Sequence, residues 1–463
     1  MKQVKSLLLI LMALVAMSCN QDEEEEPTPI QDPSSNEAVN SWILDVMDEV
    51  YLWLNDLGTP IAEDSDPEDY FEALLNRPTD RFSVIYPDYQ ELINSLSGVY
   101  LDAGYEFTLY RESASSNNVI AEISYIKKNS PASNVDLKRG DFITKINGTQ
   151  ITLDNYSELL DAISSTHTLS YARFDEGAEA FVAKPDVTLT AVQLAENPIY
   201  LDSIYTINGE KVGYFVYNFF APGPGENSVV YDSEMDAIFG EFKSEGIDHL
   251  IVDFRYNGGG YVTSAVNLAS LIAPGVASTS VFSKTKYNSF LMSEVEQLRN
   301  VQTTFLAKSQ NLGNTLKGNR VYILTSTRTA SASELIINGL KPYMDVFLIG
   351  DQTTGKNVGS VAFEDEENEK NNYGILPIIS QSFNSLDQSD YTEGFAPNVS
   401  IKESAELLRP FGDLNELLLR TAISNITGIP SGARFQQLNR EDVGSTLDKK
   451  TRSGVLIEDA KLK

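Results

Sequence analysis

"RVYILTSTRTASASELIINGL", residues 320–340, runs from an apolar segment rich in β-branched and aromatic residues into a series of good helix formers. The first part reads as a buried strand, and the part beyond the hydroxyl-rich handover at Thr329, Ser331 and Ser333 reads as a helix. A helix cap needs only one hydroxyl. The junction therefore has two readings: a generous N-cap, or a serine nucleophile held where free backbone N–H groups and the helix dipole favour an anion.

Outward from this stretch, strand and helix patterns alternate. "KVGYFVYNFF" (211–220) reads as a strand, and Met235, Ile238, Phe239 and Phe242 form a helical stripe. "HLIVDF" (249–254), "TSAVNLASLIA" (263–273), "DVFLIG" (345–350) and "YGILPIISQSF" (373–383) continue the series, and a helix at 413–426 closes it. Such alternation predicts an α/β layer whose ligands lie at the carboxyl ends of the strands. Three loops should meet there: "DFRYNGGG" (253–260), "TASASE" (329–334) and "GDQTTGKNVGS" (350–360).

A serine is a weak nucleophile until a base removes its proton. The chain has two histidines. His249 precedes a strand at the end away from the loops, and His167 lies in a different region. Lysine can replace histidine when burial disfavours its charged form, and Lys356, flanked by glycines in the third loop, is placed to do so. The glycines of the first loop allow close backbone approach and a second oxyanion donor. Ser333 and Glu334 read as caps, and Asp253 with Arg255 as a structural pair. "GDQTTGKN" (350–357) nearly matches a phosphate-binding loop, but Asn357 replaces the metal-binding hydroxyl and a glycine-broken, acidic stretch follows instead of a helix.

The flanks set the compartment. Lys2, Lys5 and the apolar run 7–17 read as a secretory signal over residues 1–18, too short to span a bilayer. "AMSC" ends it at Cys19, the only cysteine, so no disulfide forms within the chain. The site resembles a bacterial lipobox, which implies lipid attachment at Cys19 and an exported protein of the cell envelope, at the outer membrane or cell surface. Residues 19–39 read as an acidic tether and 40–97 as a helical cap, with Trp42, Val46, Val50 and Trp53 on one face. A net charge of −31 argues against nucleic acid as a partner. The tail, 429–463, is polar and carries no pattern.

Residues 98–194 change to short alternating strands. "SPASNVDLKRGDFITKINGTQI" (130–151) resembles a PDZ domain, with "NYSELLDAI" (155–163) as its groove helix and Gly104, Tyr105 and Phe107 at its carboxylate-binding loop. Cap, PDZ-like region, glycine loop, "TASASE" and a lysine 25 residues beyond Ser331 together resemble the C-terminal processing peptidases, over roughly residues 41–428. The resemblance implies an α/β fold: a mixed-sheet peptidase core (195–428), a small PDZ-like β-rich domain and an N-terminal helical cap. It also implies a serine endopeptidase acting near the C-termini of proteins or peptides, without metal or cofactor. Ser331 would be the nucleophile, Lys356 the base, and the N–H groups of Ala332 and of Gly259 or Gly260 the oxyanion donors. Ser360 stands where the family commonly has a glutamine that orients the lysine. The competing reading is an inactive surface protein that binds peptides through the PDZ-like groove.

Overall fold

The structure is a computed structural model that describes residues 32–225, 227–430, 438, 440–450 and 454–458. The signal segment, Cys19 and most of the tether lie outside the described residues. Among these, no helix is long and apolar enough to cross a membrane.

The core is a six-stranded sheet in the order Ile199–Ile207, Glu210–Tyr217, His249–Asp253, Arg320–Thr325, Asp345–Gly350, Val399–Ser400. The first pair is antiparallel and the rest are parallel. Parallel strands are buried on both faces, and here helices Val230–Glu245, Val262–Ile272 and Ala332–Leu340 cover one face while Leu417–Thr427 covers the other. The predicted α/β layer is therefore present. One expectation fails: residues 374–384 do not extend it. Pro377, which lacks an N–H, separates Gly374–Leu376 from Ile378–Asn384, and the two strands join two other sheets.

The second of those sheets runs Gly259–Tyr261, Val455–Ile457, Val358–Ser360, Ile378–Asn384, Val281–Tyr287, Val301–Thr304. For brevity the first three are the glycine strand, the tail strand and the lysine strand. The tail beyond Gly428, read from sequence as patternless, thus supplies an inner strand here. Its three apolar residues are too few to show a period, and their partners are distant in sequence. Tail residues Asp442–Ser445 also add antiparallel to Tyr105–Arg111 at the edge of the PDZ-like sheet.

The cap helix, Asn36–Val50, starts inside the predicted tether, with Ser35 as its N-cap. Its buried apolar residues are Val39, Ile43, Met47 and Val50, while Trp42, Val46 and Trp53 sit partly buried beside them. The inner face is rotated from the one expected because the indoles cover the rim of the cluster instead of filling it.

Behind the first loop, Arg255 is 1 % exposed and reaches Asp253 (2.7 Å), Glu416 (2.6 Å) and Glu403 (2.6 Å). Arg139 of the PDZ-like domain also pairs with Glu403 and contacts the Tyr256 hydroxyl at 2.7 Å. This buried network joins the two domains directly under the glycine loop. Removing one member of such a network strands the opposite charges. Arg255→Met should cost about 3–5 kcal/mol in denaturant unfolding; a loss under about 1 kcal/mol, the range of surface pairs, would contradict this account.

Candidate active site

The three loops do converge at the carboxyl edge. Ala330 N–H donates to the Asn257 carbonyl (3.1 Å) and Thr354 N–H to the Thr329 carbonyl (3.0 Å), so each loop is tied to the next. Ser333 Oγ donates to the Asn257 carbonyl at 3.1 Å, which makes it a brace between loops, and Thr329 Oγ1 donates to the Phe254 carbonyl at 2.8 Å.

Ser331 sits one residue before the helix Ala332–Leu340, at φ 61° and ψ −111°. This is a strained conformation for a residue with a Cβ. It is fully buried, and among the described residues its Oγ has no hydrogen-bond partner. Of a capping box, the contact that stands as a hydrogen bond is the one from the Ser331 N–H to the Glu334 carboxylate, which leaves the hydroxyl unengaged.

Glu334 proves to be more than a cap. Its Oε2 accepts the N–H of Ser331 (2.9 Å) and the N–H of Lys356 (2.8 Å), and its Oε1 accepts the N–H of Gly355 (2.7 Å) and the hydroxyl of Thr353 (2.6 Å). Burial raises its pKa above the ordinary carboxyl value against the pull of these bonds. The S-x-x-E spacing signals the first contact; the other three join segments about 20 residues apart, which spacing does not reveal.

Lys356 is 1 % exposed. Desolvation pulls its pKa down to about 7, against the charges of Asp80 and Glu334 and with the help of Arg81. Its Nζ lies 4.6 Å from the centre of the Phe82 ring and donates to the Gly454 carbonyl. Arg81 Nη2 donates to the Gly355 carbonyl at 2.8 Å. The cap therefore contributes Asp80, Arg81 and Phe82 to the surroundings of the lysine, a role its sequence did not signal. After Lys356 the chain becomes a strand at Val358, not a helix, which removes the phosphate-loop reading.

The remaining expected residues are placed as follows. Gly259 (φ 114°) and Gly260 (φ 131°) both need a glycine: a Cβ on Gly259 would stand 2.8 Å from Ser331 Cβ and against the Val455 carbonyl, and one on Gly260 would strike the Phe220 backbone. The Gly259 N–H donates to Asn257 Oδ1 at 3.0 Å, while Ala332 opens the helix, where N–H groups lack intrahelical acceptors. Ser360 is fully buried, and among the described residues its Oγ makes no hydrogen bond. It therefore does not orient Lys356 in this structure. His249 is at the far end of its strand, 3.3 Å from Glu210, and His167 Nε2 contacts the Tyr105 hydroxyl at 2.9 Å. In the PDZ-like domain the side chains of Tyr105 and Phe107 are core, so what the loop offers a peptide is backbone. The Gly104 N–H bonds to Asp102 Oδ1 (2.5 Å) and the Phe107 N–H to Thr446 Oγ1 (3.1 Å). Among the described residues, no group of three or more His, Cys, Asp or Glu is placed to hold a metal.

Family models match three parts of the chain. The model of peptidase family S41 matches residues 211–401, that of the S41 N-terminal domain residues 38–84, and that of a PDZ domain residues 122–173. The chain is 28 % identical over 178 residues to a carboxyl-terminal-processing protease of Picosynechococcus, covering 38 % of this chain and 37 % of that one. It is 21 % identical over 366 residues to a "probable CtpA-like serine protease" of Staphylococcus saprophyticus, covering 78 % and 65 %. It thus spans less than two thirds of either relative. A crystal structure of a candidate S41 protease from Bacteroides fragilis superposes with a TM-score of 0.71 at 31 % identity, covering 84 % of this chain and 97 % of the other.

The burial of Lys356 has a direct spectroscopic consequence. With 13C-labelled lysine, one side-chain resonance should titrate near pH 7 and vanish in Lys356→Ala; a Lys356 that titrates near its ordinary value, about 10.4, would show that its amine is solvated.

Proposed function

Because the chain belongs to peptidase family S41, we propose that it is a serine endopeptidase that cuts proteins or peptides near their C-termini, with Ser331 as nucleophile and Lys356 as general base. The observation that carries this reading is the pairing of a strained, unengaged serine with a buried lysine whose pKa is close to neutral, both held by one carboxylate.

Ser331 Oγ attacks the carbonyl carbon of the scissile bond while neutral Lys356 accepts its proton. The N–H groups of Ala332 and of Gly259 or Gly260 stabilise the resulting oxyanion, which requires the Gly259 N–H to leave Asn257 if it is the one that serves. Collapse breaks the C–N bond, and the protonated lysine gives its proton to the departing amine. Lysine, neutral again, takes a proton from the water that attacks the acyl-serine; collapse then breaks the acyl–Oγ bond, the lysine returns that proton to Ser331 Oγ, and the acid product ionises in solvent. In the PDZ-like domain an extended segment would be captured by strand addition to Tyr105–Arg111, in the place where Asp442–Ser445 pairs in this structure. The inactive peptide-binding alternative is less favoured, since a serine and a lysine stand at both proposed catalytic positions.

Lipid on Cys19 would hold the enzyme at a bacterial envelope membrane, by the outer membrane or cell surface, where protein substrates with free C-termini are available. The support for this is the N-terminal sequence alone.

Activity should rise with pH up to about 7, where desolvation places the Lys356 amine, falling about tenfold per unit below it as the amine becomes protonated. Ser331→Ala should be inactive and folded. Lys356→Arg should be as inactive as Lys356→Ala, because guanidinium does not release its proton; near-wild-type cleavage by the arginine variant would overturn the mechanism. Cys19→Ser should move the protein from the membrane to the soluble fraction, and unchanged fractionation would remove the lipid anchor.

A further inference from the structure

Ser331 and Lys356 are 0 % and 1 % exposed, so no substrate reaches them while the structure stays as it is. The segment that lies on both is the chain's own C-terminal tail. Gly454 N–H donates to the Gly258 carbonyl at 2.7 Å, and its carbonyl accepts from Lys356 Nζ. Val455 lies opposite Gly259, and a Cβ on that glycine would meet both the Val455 carbonyl and Ser331 Cβ, so the tail strand and Ser331 border the same glycine. The tail strand runs parallel to the glycine strand on one side and the lysine strand on the other, and Glu458 N–H continues to the Ser360 carbonyl at 3.0 Å. Leu456 enters the central core, while Val455 and Ile457 pack with Leu92, Leu96 and Leu376.

The same tail occupies the PDZ-like domain. Asp442–Ser445 adds antiparallel to Tyr105–Arg111. Thr446 then takes the Phe107 N–H and bonds to the Glu106 carboxylate, which is where an incoming peptide would meet this loop. Lys450 reaches Asp102 at 3.0 Å and Glu106 at 3.3 Å. Both places where an extended peptide would bind therefore hold a strand of the protein itself. The Gly454 carbonyl engages the lysine amine instead of an oxyanion donor, so the contact occupies the base without presenting a bond for attack.

We propose that the cleft between the glycine and lysine strands is a site for an extended segment of a glycine followed by three branched aliphatic residues, and that residues 454–457 are its resident occupant, holding the enzyme latent until displaced. This rests on the peptidase reading above and adds to it a substrate preference and a resting state. A protein substrate gains access by competing for the cleft with a segment of this type.

The test uses the full chain. Leu456→Asp places a charge at a core position and should expel the tail strand, raising hydrolysis of a fluorescein-labelled unfolded protein about tenfold. A peptide of residues 451–460, TRSGVLIEDA, should then inhibit that variant competitively. In the Cys19→Ser background, cysteines at the register partners Tyr261 and Ile457 should abolish hydrolysis on oxidation and restore it on reduction. The proposal is overturned if Leu456→Asp, folded, is no more active than wild type, or if the oxidised pair retains full activity. The oxidised pair keeps the native contacts, so it decides the matter if Leu456→Asp does not fold. Labelling of Ser331 by a fluorophosphonate separates the two claims. Faster labelling of Leu456→Asp with no hydrolysis by any variant supports latency and removes the peptidase reading; equal hydrolysis by the oxidised and reduced pair removes latency and leaves the peptidase.

Discussion

Glu334 Oε2 accepts the N–H of Ser331 and the N–H of Lys356, so the backbones at the proposed nucleophile and base are held to one carboxylate. The two come from different strands of the parallel sheet, and a serine and a lysine on separate loops would otherwise drift by the ångström that ruins proton transfer. A carboxylate this deeply buried is costly unless its lone pairs are filled, and here three backbone N–H groups and the Thr353 hydroxyl fill them. The sheet brings the loops to one edge, and the carboxylate sets their spacing. The Arg255 network beneath the first loop does similar work for the glycines, tying them to the PDZ-like domain through Glu403 and Arg139.

The core was legible because its signals are local. Strands such as "RVYILT" and "DVFLIG" are short apolar runs, the helices between them carry apolar stripes, and the PDZ-like turn at Arg139–Gly140–Asp141 is a compact cluster of turn residues. Ser331 and Lys356 could be singled out because the scarcity of histidine left few bases. Ser360 shows where a motif position misleads: it falls at the expected place, yet its hydroxyl faces no partner among the described residues.

What stayed hidden depends on contacts far apart in sequence. Asp80, Arg81 and Phe82 read as an ordinary loop of the cap, and only folding brings them to Lys356, more than 270 residues later. The tail strand is a three-residue apolar run after a glycine, below the length at which alternation can be detected. It gains its meaning from the two strands that flank it.

The backbone of Ser331, at φ 61° and ψ −111°, is also a thermodynamic statement. A conformation of this kind costs on the order of 1–3 kcal/mol for any residue with a Cβ, and nothing at a glycine. A side chain and a relaxed backbone are thus mutually exclusive at position 331: a chain with glycine there would lose the proposed nucleophile and relieve this strain. The molecule gives up part of its folding free energy, at one residue, to keep a hydroxyl at the start of the helix.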